Sequence, residues 1–209
     1  KTKPECRLTK DHIPSLPNYV HYCSLLSCLL APRELIDELL VRARKKSLVS
    51  YDPNIANAGV ATELVRERIS HCMQNSHIVK LSEDDASLLF PNSTSENIFD
   101  MLQSEGVPLV IITKGKKGCE VNHLNKRFFV PGVEISVKDT VGAGDAFTAG
   151  LLAALSADGV YTVKELKELQ VEQIKRICSI ANAAGAAACL AFGAHGGIKD
   201  FEQILSLTM

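Results

Sequence analysis

The segment Asp139-Thr140-Val141-Gly142-Ala143-Gly144-Asp145-Ala146-Phe147-Thr148-Ala149-Gly150-Leu151-Leu152 sets two glycines between two carboxylates and then runs straight into an apolar stretch of helical character. A helix that starts there leaves its first backbone N–H groups without internal partners, open to an anion. Glycine lets the backbone approach a phosphate closely. Asp145 stands at the helix entrance, where its own charge opposes phosphate binding. A carboxylate beside an anion hole is suited to accept the proton of an attacking hydroxyl, and the combination points to phosphoryl transfer. The plainer reading is a capped helix after a glycine turn, with Asp139 and Asp145 as ordinary turn and cap residues.

Upstream, strand-like and helix-like stretches alternate. Asn18–Cys23 reads as a buried strand, and Pro32–Lys46 as a helix with Leu35, Ile36, Leu39, Leu40 and Ala43 at helical spacing. Ser47–Tyr51 is a strand ending in the turn Asp52-Pro53-Asn54. Ala61–Cys72 is a helix, His77–Lys80 a strand, and Ser82 caps a short helix that follows. A helix over Ser95–Gly106 precedes the apolar strand Pro108–Thr113, and Gly118–Asn122 with Arg127–Val130 reads as a hairpin. A long helical region closes the chain. The pattern predicts one α/β domain: a mostly parallel sheet with helices on both faces, residues 1–17 being the least ordered by composition. Ligands of such sheets bind beyond the carboxyl ends of the strands. The turns at Asp52–Asn54, Ser82–Asp85 and Thr113–Gly115 all follow strands and are expected along one edge with the signature loop.

Composition narrows the function. The 209 residues are 46% hydrophobic, enough for a sizeable core, and carry 23 basic against 24 acidic residues for a net charge of −1, with no electrostatic footprint for nucleic acid. The basic run Arg42-Ala43-Arg44-Lys45-Lys46 ends an apparent helix, where cations complement the dipole. The seven cysteines (Cys6, Cys23, Cys28, Cys72, Cys119, Cys178 and Cys189) are scattered and odd in number, as expected of reduced thiols in a cytoplasmic compartment. The histidines show no metal-ligand spacing, and the His71-Cys72 neighbourhood reads as chance. No signal peptide or membrane span is evident; the longest apolar stretch, Ile180–Ala194, is rich in Ala and Gly, interrupted by Asn182, and expected to be a buried, tightly packed helix. The chain begins with Lys1 rather than Met, as a processed, cloned or partial product would.

The stretch Asp139–Phe147 resembles the signature of the ribokinase-like (PfkB) carbohydrate kinases. The resemblance implies a three-layer, Rossmann-type α/β fold, with Asp145 as catalytic base and Gly142, Ala143 and Gly144 as the anion hole over the transferring phosphoryl group. It implies ATP and magnesium as cofactors and a small sugar as acceptor. Val79-Lys80-Leu81-Ser82-Glu83-Asp84-Asp85 resembles the family's Asn-x-x-Glu region, which puts Lys80 and Ser82 at the nucleotide and Asp85 at magnesium-bound water, with Glu83 and Asp84 as substitutes. Taken alone, these acids favour a helix N-terminus. Thr113-Lys114-Gly115-Lys116-Lys117-Gly118 resembles the Thr-x-Gly-x-x-Gly loop along the nucleotide, implying contacts from Thr113, Lys114, Gly115 and Gly118; otherwise it is a lysine-rich hairpin turn. Asn182 and Gly193-Ala194 match the helix and loop that line the family's adenine pocket, although Ala- and Gly-rich helices also pack closely without binding anything. Asp139 and the Gly193–Gly197 loop lie where some relatives hold a monovalent cation, and their chemistry suits potassium. Tyr51-Asp52-Pro53-Asn54 resembles a segment of fructokinase-like members, implying Asp52 and Asn54 on the substrate side. An Arg usually follows that Asn by two positions; here Ala56 stands there.

The function implied is ATP-dependent phosphorylation of a sugar hydroxyl, most like a fructokinase, with ribokinase, nucleoside kinase and ketodeoxygluconate kinase as neighbours. The alternative is a non-catalytic nucleotide-binding or regulatory module derived from such a kinase. A dinucleotide-binding oxidoreductase is disfavoured, because no Gly-x-Gly-x-x-Gly follows an N-terminal strand. Family members carry a sugar-binding region and a β-strand lid before the strand at Asn18, and these residues do not contain them. Residues 1–209 then correspond to the nucleotide-binding and catalytic portion, expected to be unstable or oligomeric alone, a homodimer included.

Overall fold

The computed structural model describes residues 15–24, 33–55, 62–194 and 196–208. Expectations resting on residues 1–14, Cys28, Pro32, Ala56, Ala61 and His195 lie outside them. The chain divides into two compact units, Lys1–Leu109 and Val110–Met209.

The first unit runs β1 (Tyr19–Cys23), α1 (Arg33–Lys46), β2 (Leu48–Asp52), α2 (Glu63–Gln74), β3 (Ile78–Ser82), α3 (Glu83–Leu89) and α4 (Ser95–Ser104). β1 and β2 pair in parallel, with Tyr19 opposite Leu48 and Cys23 opposite Asp52. β2 and β3 also pair in parallel, with Ser50 opposite Ile78 and Tyr51 opposite Val79. Every residue of β2 is buried, as in a parallel strand covered on both faces. Parallel neighbours need a crossover between them, and α1 and α2 supply it. Val65, Ile69, Cys72 and Met73 recur along α2 at three- and four-residue intervals and are buried. Thr62, Ser82 and Thr94 cap α2, α3 and α4 through their side-chain oxygens. Arg44, in the basic run that ends α1, donates to the carbonyls of Gln74, Ser76 and Gly106, so part of that run serves the C-terminal ends of α2 and α4.

β4 (Leu109–Thr113) begins where the first unit ends, with the Leu109 N–H donating to the His77 carbonyl at 3.2 Å. The second unit continues with a 3₁₀ turn at Gly115–Lys117, β5 (Gly118–His123), β6 (Lys126–Pro131), α5 (Ala143–Ala157), α6 (Val163–Glu168), α7 (Val171–Ala188) and α8 (Phe201–Ser206). β5 and β6 form the expected hairpin, longer than the sequence pattern suggested, with Gly118 opposite Pro131 and His123 opposite Lys126. Its two loop residues, Leu124 and Asn125, both have positive φ, the geometry that lets a two-residue turn follow the strand twist. α5 and α7 pack through small residues: a Cβ added at Gly150 would stand 2.6 Å from the Ala184 Cβ, and one at Gly185 would stand 3.1 Å from the Ala143 carbonyl oxygen. The expectation of one buried helix over Ile180–Ala194 holds only as far as Ala188, where α7 ends and a loop begins. Among the described residues, no helix is long and apolar enough to cross a membrane.

His123 is a buried tie inside this unit, its Nε2–H donating to the Leu166 carbonyl at 3.0 Å. Burial pushes its pKa below the ordinary imidazole value, with the Leu166 carbonyl opposing and Lys126 adding to the fall. Below about pH 6.5 the unfolded chain therefore binds a proton that the folded chain refuses, and stability declines as pH falls towards the folded value. Thermal unfolding at pH 7.5 and 5.5 is expected to show this loss in the unaltered protein and a smaller one in His123→Gln. Equal losses would remove His123 as the cause.

Candidate active site

The signature segment forms the start of α5. Gly142 is the N-cap residue, with φ 80° and ψ −2°, a left-handed conformation that a Cβ would strain. A Cβ there would also lie 2.4 Å from the Ala194 carbonyl oxygen, so this position needs glycine on two counts. No side chain caps the helix. The Ala143 N–H bends back to the Thr140 carbonyl at 3.3 Å, and the Ala146 N–H makes the first helical bond, to Gly142, at 2.8 Å. The N–H groups of Gly144 and Asp145 have no partner among the described residues. Of the expected donors Gly142, Ala143 and Gly144, only the Ala143 amide has a partner among the described residues, and the Asp145 amide is open beside them. The Asp145 side chain is exposed and makes no hydrogen bond or ion pair with a described residue.

Asp139 clamps this loop to the segment after α7. Its Oδ1 accepts from the Val141 N–H at 3.1 Å and its Oδ2 from the Gly193 N–H at 2.9 Å. The Lys138 and Asp139 N–H groups both donate to the Cys189 carbonyl, at 2.9 and 3.5 Å. The Gly193 amide, followed by that of Val141, holds the Asp139 carboxyl below the usual carboxylate range. Burial, with the Asp139 charge as a lesser cause, pushes the Cys189 thiol up, away from reactivity. Asp139, Gly142, Gly193 and Ala194 therefore meet at the α5 N-terminus. Both oxygens of Asp139 already accept amide hydrogens; its remaining lone pairs are what it could offer a monovalent cation.

A second group of expected residues gathers at the end of β6. The Gly132 N–H donates to the Lys117 carbonyl at 2.8 Å, and the Lys114 N–H to the Gly118 carbonyl at 2.7 Å. Lys114 Nζ pairs with Glu120 at 2.9 Å, leaving Gly115, Lys116 and Lys117 as the exposed part of the loop after Thr113. Asn182, on α7, donates its amide hydrogens to the carbonyls of Val130 and Pro131, at 3.3 and 3.0 Å.

In the first unit, Asp52 and Lys80 meet each other. Lys80 Nζ lies 2.8 Å from Asp52 Oδ2, and both side chains are buried. The other oxygen, Asp52 Oδ1, is buried without a partner. Burial pushes the Asp52 pKa up; Lys80 opposes this, and the Asp85 charge adds to it. Asp85 is only 2% exposed, and its oxygens accept from Ile55 N–H at 2.8 Å, Ser82 N–H at 3.1 Å and Ser82 Oγ–H at 2.6 Å. With Ser82 it completes a capping box, so its oxygens hold chain rather than face solvent, and it fits poorly as an organiser of metal-bound water. Glu83 and Asp84 are the exposed acids of that turn. Asn54 is exposed, in the left-handed region at φ 44°.

Phe192 carried no expectation, because the apolar run through Ala194 read as core. It is the most exposed large apolar side chain of those described, at 80%. The glycines at 193, 196 and 197 are the signal that marks this stretch as loop.

A family model described as pfkB family carbohydrate kinase matches residues 11–200. The chain is 32% identical to a fructokinase of Rhizobium leguminosarum bv. trifolii over 134 residues, which is 64% of this chain and 41% of that protein. It is 34% identical to an ATP-dependent 6-phosphofructokinase of Thermoanaerobacterium thermosaccharolyticum over 148 residues, covering 70% of this chain and 45% of that one. Matches to these curated relatives thus span about half of their length. The crystal structure of fructokinase from Vibrio cholerae O395 with fructose, ADP and calcium bound superposes with a TM-score of 0.81 at 25% identity, over 97% of this chain and 65% of that one. The fold is accordingly ribokinase-like, the three-layer α/β class with helices flanking a central sheet.

Proposed function

Because the chain belongs to the pfkB family of carbohydrate kinases, we propose that it is the nucleotide-binding and catalytic portion of an ATP-dependent sugar kinase, of fructokinase type. The observation that carries this is the α5 N-terminus, where the N–H groups of Gly144 and Asp145 and the Asp145 carboxylate stand together without partners among the described residues. Two open amides and the positive end of a helix suit a phosphate. The carboxylate does not, and its place there is explained by proton transfer.

In this reading Asp145 accepts the proton of a sugar hydroxyl as that oxygen bonds to the γ-phosphorus of ATP. The bond from that phosphorus to the β–γ bridging oxygen breaks, and ADP leaves with the electron pair. The main-chain donors hold the equatorial oxygens as charge shifts between them, and Asp139 fixes the loop that aims those donors. Magnesium, arriving with the nucleotide, neutralises phosphate charge when bound. Lys116 and Lys117 are exposed cations of the loop after β4, suited to a polyphosphate. Fructose is the acceptor favoured by the named relatives, and Asn54 is the exposed polar candidate on the substrate side.

A second reading is nucleotide binding without turnover, favoured by Ala56 standing where fructokinase-like members usually have an Arg. The test is ADP release from magnesium-ATP with fructose, ribose, adenosine and ketodeoxygluconate in turn, alongside calorimetric ADP binding. Release with fructose above the no-acceptor background is expected. Binding with no release on any acceptor would favour the second reading, and absence of nucleotide binding would overturn both.

A further inference from the structure

We propose that Asp85 is a positioning residue: its carboxylate fixes the turn that presents Asn54, and it takes no part in holding magnesium. The inference rests on the reading of the chain as a sugar kinase, and it departs from the role that the family resemblance implies for this acid.

β2 and β3 run parallel, so their carboxyl ends lie side by side. The turn that leaves β2 is Asp52-Pro53-Asn54-Ile55. Its first residue is tied to β3 by the 2.8 Å contact of Asp52 Oδ2 with Lys80 Nζ. Its last is tied to α3, where the buried Ile55 N–H donates to Asp85 Oδ1 at 2.8 Å. Asp85 is itself held in place. Its Oδ2 accepts from the N–H and Oγ–H of Ser82, at 3.1 and 2.6 Å, and its own N–H donates back to Ser82 Oγ at 3.0 Å. Pro53 and Asn54 alone lie between the two ties, and the proline ring fixes its own φ. Asn54, at φ 44°, occupies the left-handed region that Asn tolerates better than most residues. An exposed amide on a turn pinned at both ends is ordered before a ligand arrives, which lowers the cost of binding. That amide both donates and accepts, as a sugar hydroxyl does.

The same geometry leaves Asp85 little to offer a metal. A carboxylate has about four lone-pair positions. Three hydrogens already point at those of Asp85, one from Ile55 and two from Ser82. The residue is 2% exposed. Magnesium keeps several of its waters when a protein binds it, so an acid that organises them must face solvent or ligand. Asp85 is also one methylene shorter than the Glu of the family pattern, which takes away reach. The acid at this place has thus been turned inward, and what it holds is chain.

Asp85→Asn and Asp85→Glu test this through amide exchange, calorimetry and kinetics. A side-chain amide has one oxygen where the carboxylate has two, so Asp85→Asn can serve Ser82 or Ile55 but not both. Exchange at the Ile55 amide is expected to quicken by about tenfold or more, against little change at Val49 and Tyr51 within β2. The ratio of ADP affinities with and without magnesium should stay within about twofold of that of the unaltered protein. The fructose KM should rise about tenfold in both variants while kcat holds within about threefold. Equal quickening along β2 would mark a general loss of stability and overturn the positioning role. A tenfold fall in the magnesium effect in Asp85→Asn, kept by Asp85→Glu, would give the acid to the metal and overturn the inference. Magnesium-ADP binding intact with Ile55 exchange unmoved would sink this inference alone. Failure of the unaltered protein to bind ADP, or to turn over any acceptor, would sink the kinase reading and this inference with it.

Discussion

Asp145→Asn is expected to lower turnover by about 10²–10⁴-fold while ADP binds as well as to the unaltered protein, or slightly better. The substitution keeps the shape of the side chain and removes its capacity to take a proton. It also removes a negative charge from the mouth of an anion site, which is why affinity should not fall. The acid sits in the first turn of α5, where its charge favours the helix by roughly 0.3–1 kcal/mol, so only a small shift in melting temperature should accompany the change. ADP release in the presence of acceptor, calorimetric ADP affinity and a thermal melt together separate chemistry from folding. A variant that turns over at nearly the normal rate would show that another group takes the proton.

Lys80→Met is expected to destabilise the fold by about 3–5 kcal/mol, the usual consequence of stripping one partner from a buried ion pair. Asp52 Oδ1 already lacks a partner, and the substitution leaves Oδ2 without one as well. Against a total stability of about 5–15 kcal/mol, such a loss is visible in urea unfolding. The pH dependence has a definite sign. Burial holds the Asp52 pKa above its ordinary value, so the folded chain binds that proton more readily than the unfolded one. Without Lys80 the rise is larger, and acidification from pH 7 towards 5 should restore part of the lost stability as the carboxyl becomes neutral. Asp52→Asn combined with Lys80→Met should recover more than either single change, because the two residues act as a pair. A single Lys80→Met that costs under about 1 kcal/mol and shows no pH dependence would rule out a strong buried pair.

Much of the architecture was legible because each element carries a local signal. Ser82 three residues before Asp85 announces a capping box, and Gly142 before an Ala- and Leu-rich run announces the start of α5. Pairing is another matter. Nothing near Lys80 in the chain indicates that its ammonium will meet Asp52. That follows from the parallel register of β2 and β3, which puts Tyr51 opposite Val79 and so brings the next residues alongside. Asp52, Lys80, Asp85 and Asn182 bind one another or the main chain, because burial decides which polar groups a fold must satisfy from within. Phe192 was hidden for the opposite reason: apolar residues beside an apolar helix look like core until the turn of the chain is known.

The contact of Gly150 with Ala184 carries a consequence for redesign. Neither α5 nor α7 can acquire bulk along this line without parting the two helices, since a Cβ at Gly150 would stand 2.6 Å from the Ala184 Cβ. Grafting the short signature alone onto a foreign scaffold would carry the letters of the phosphate grip and leave behind the distant wall that gives them their shape.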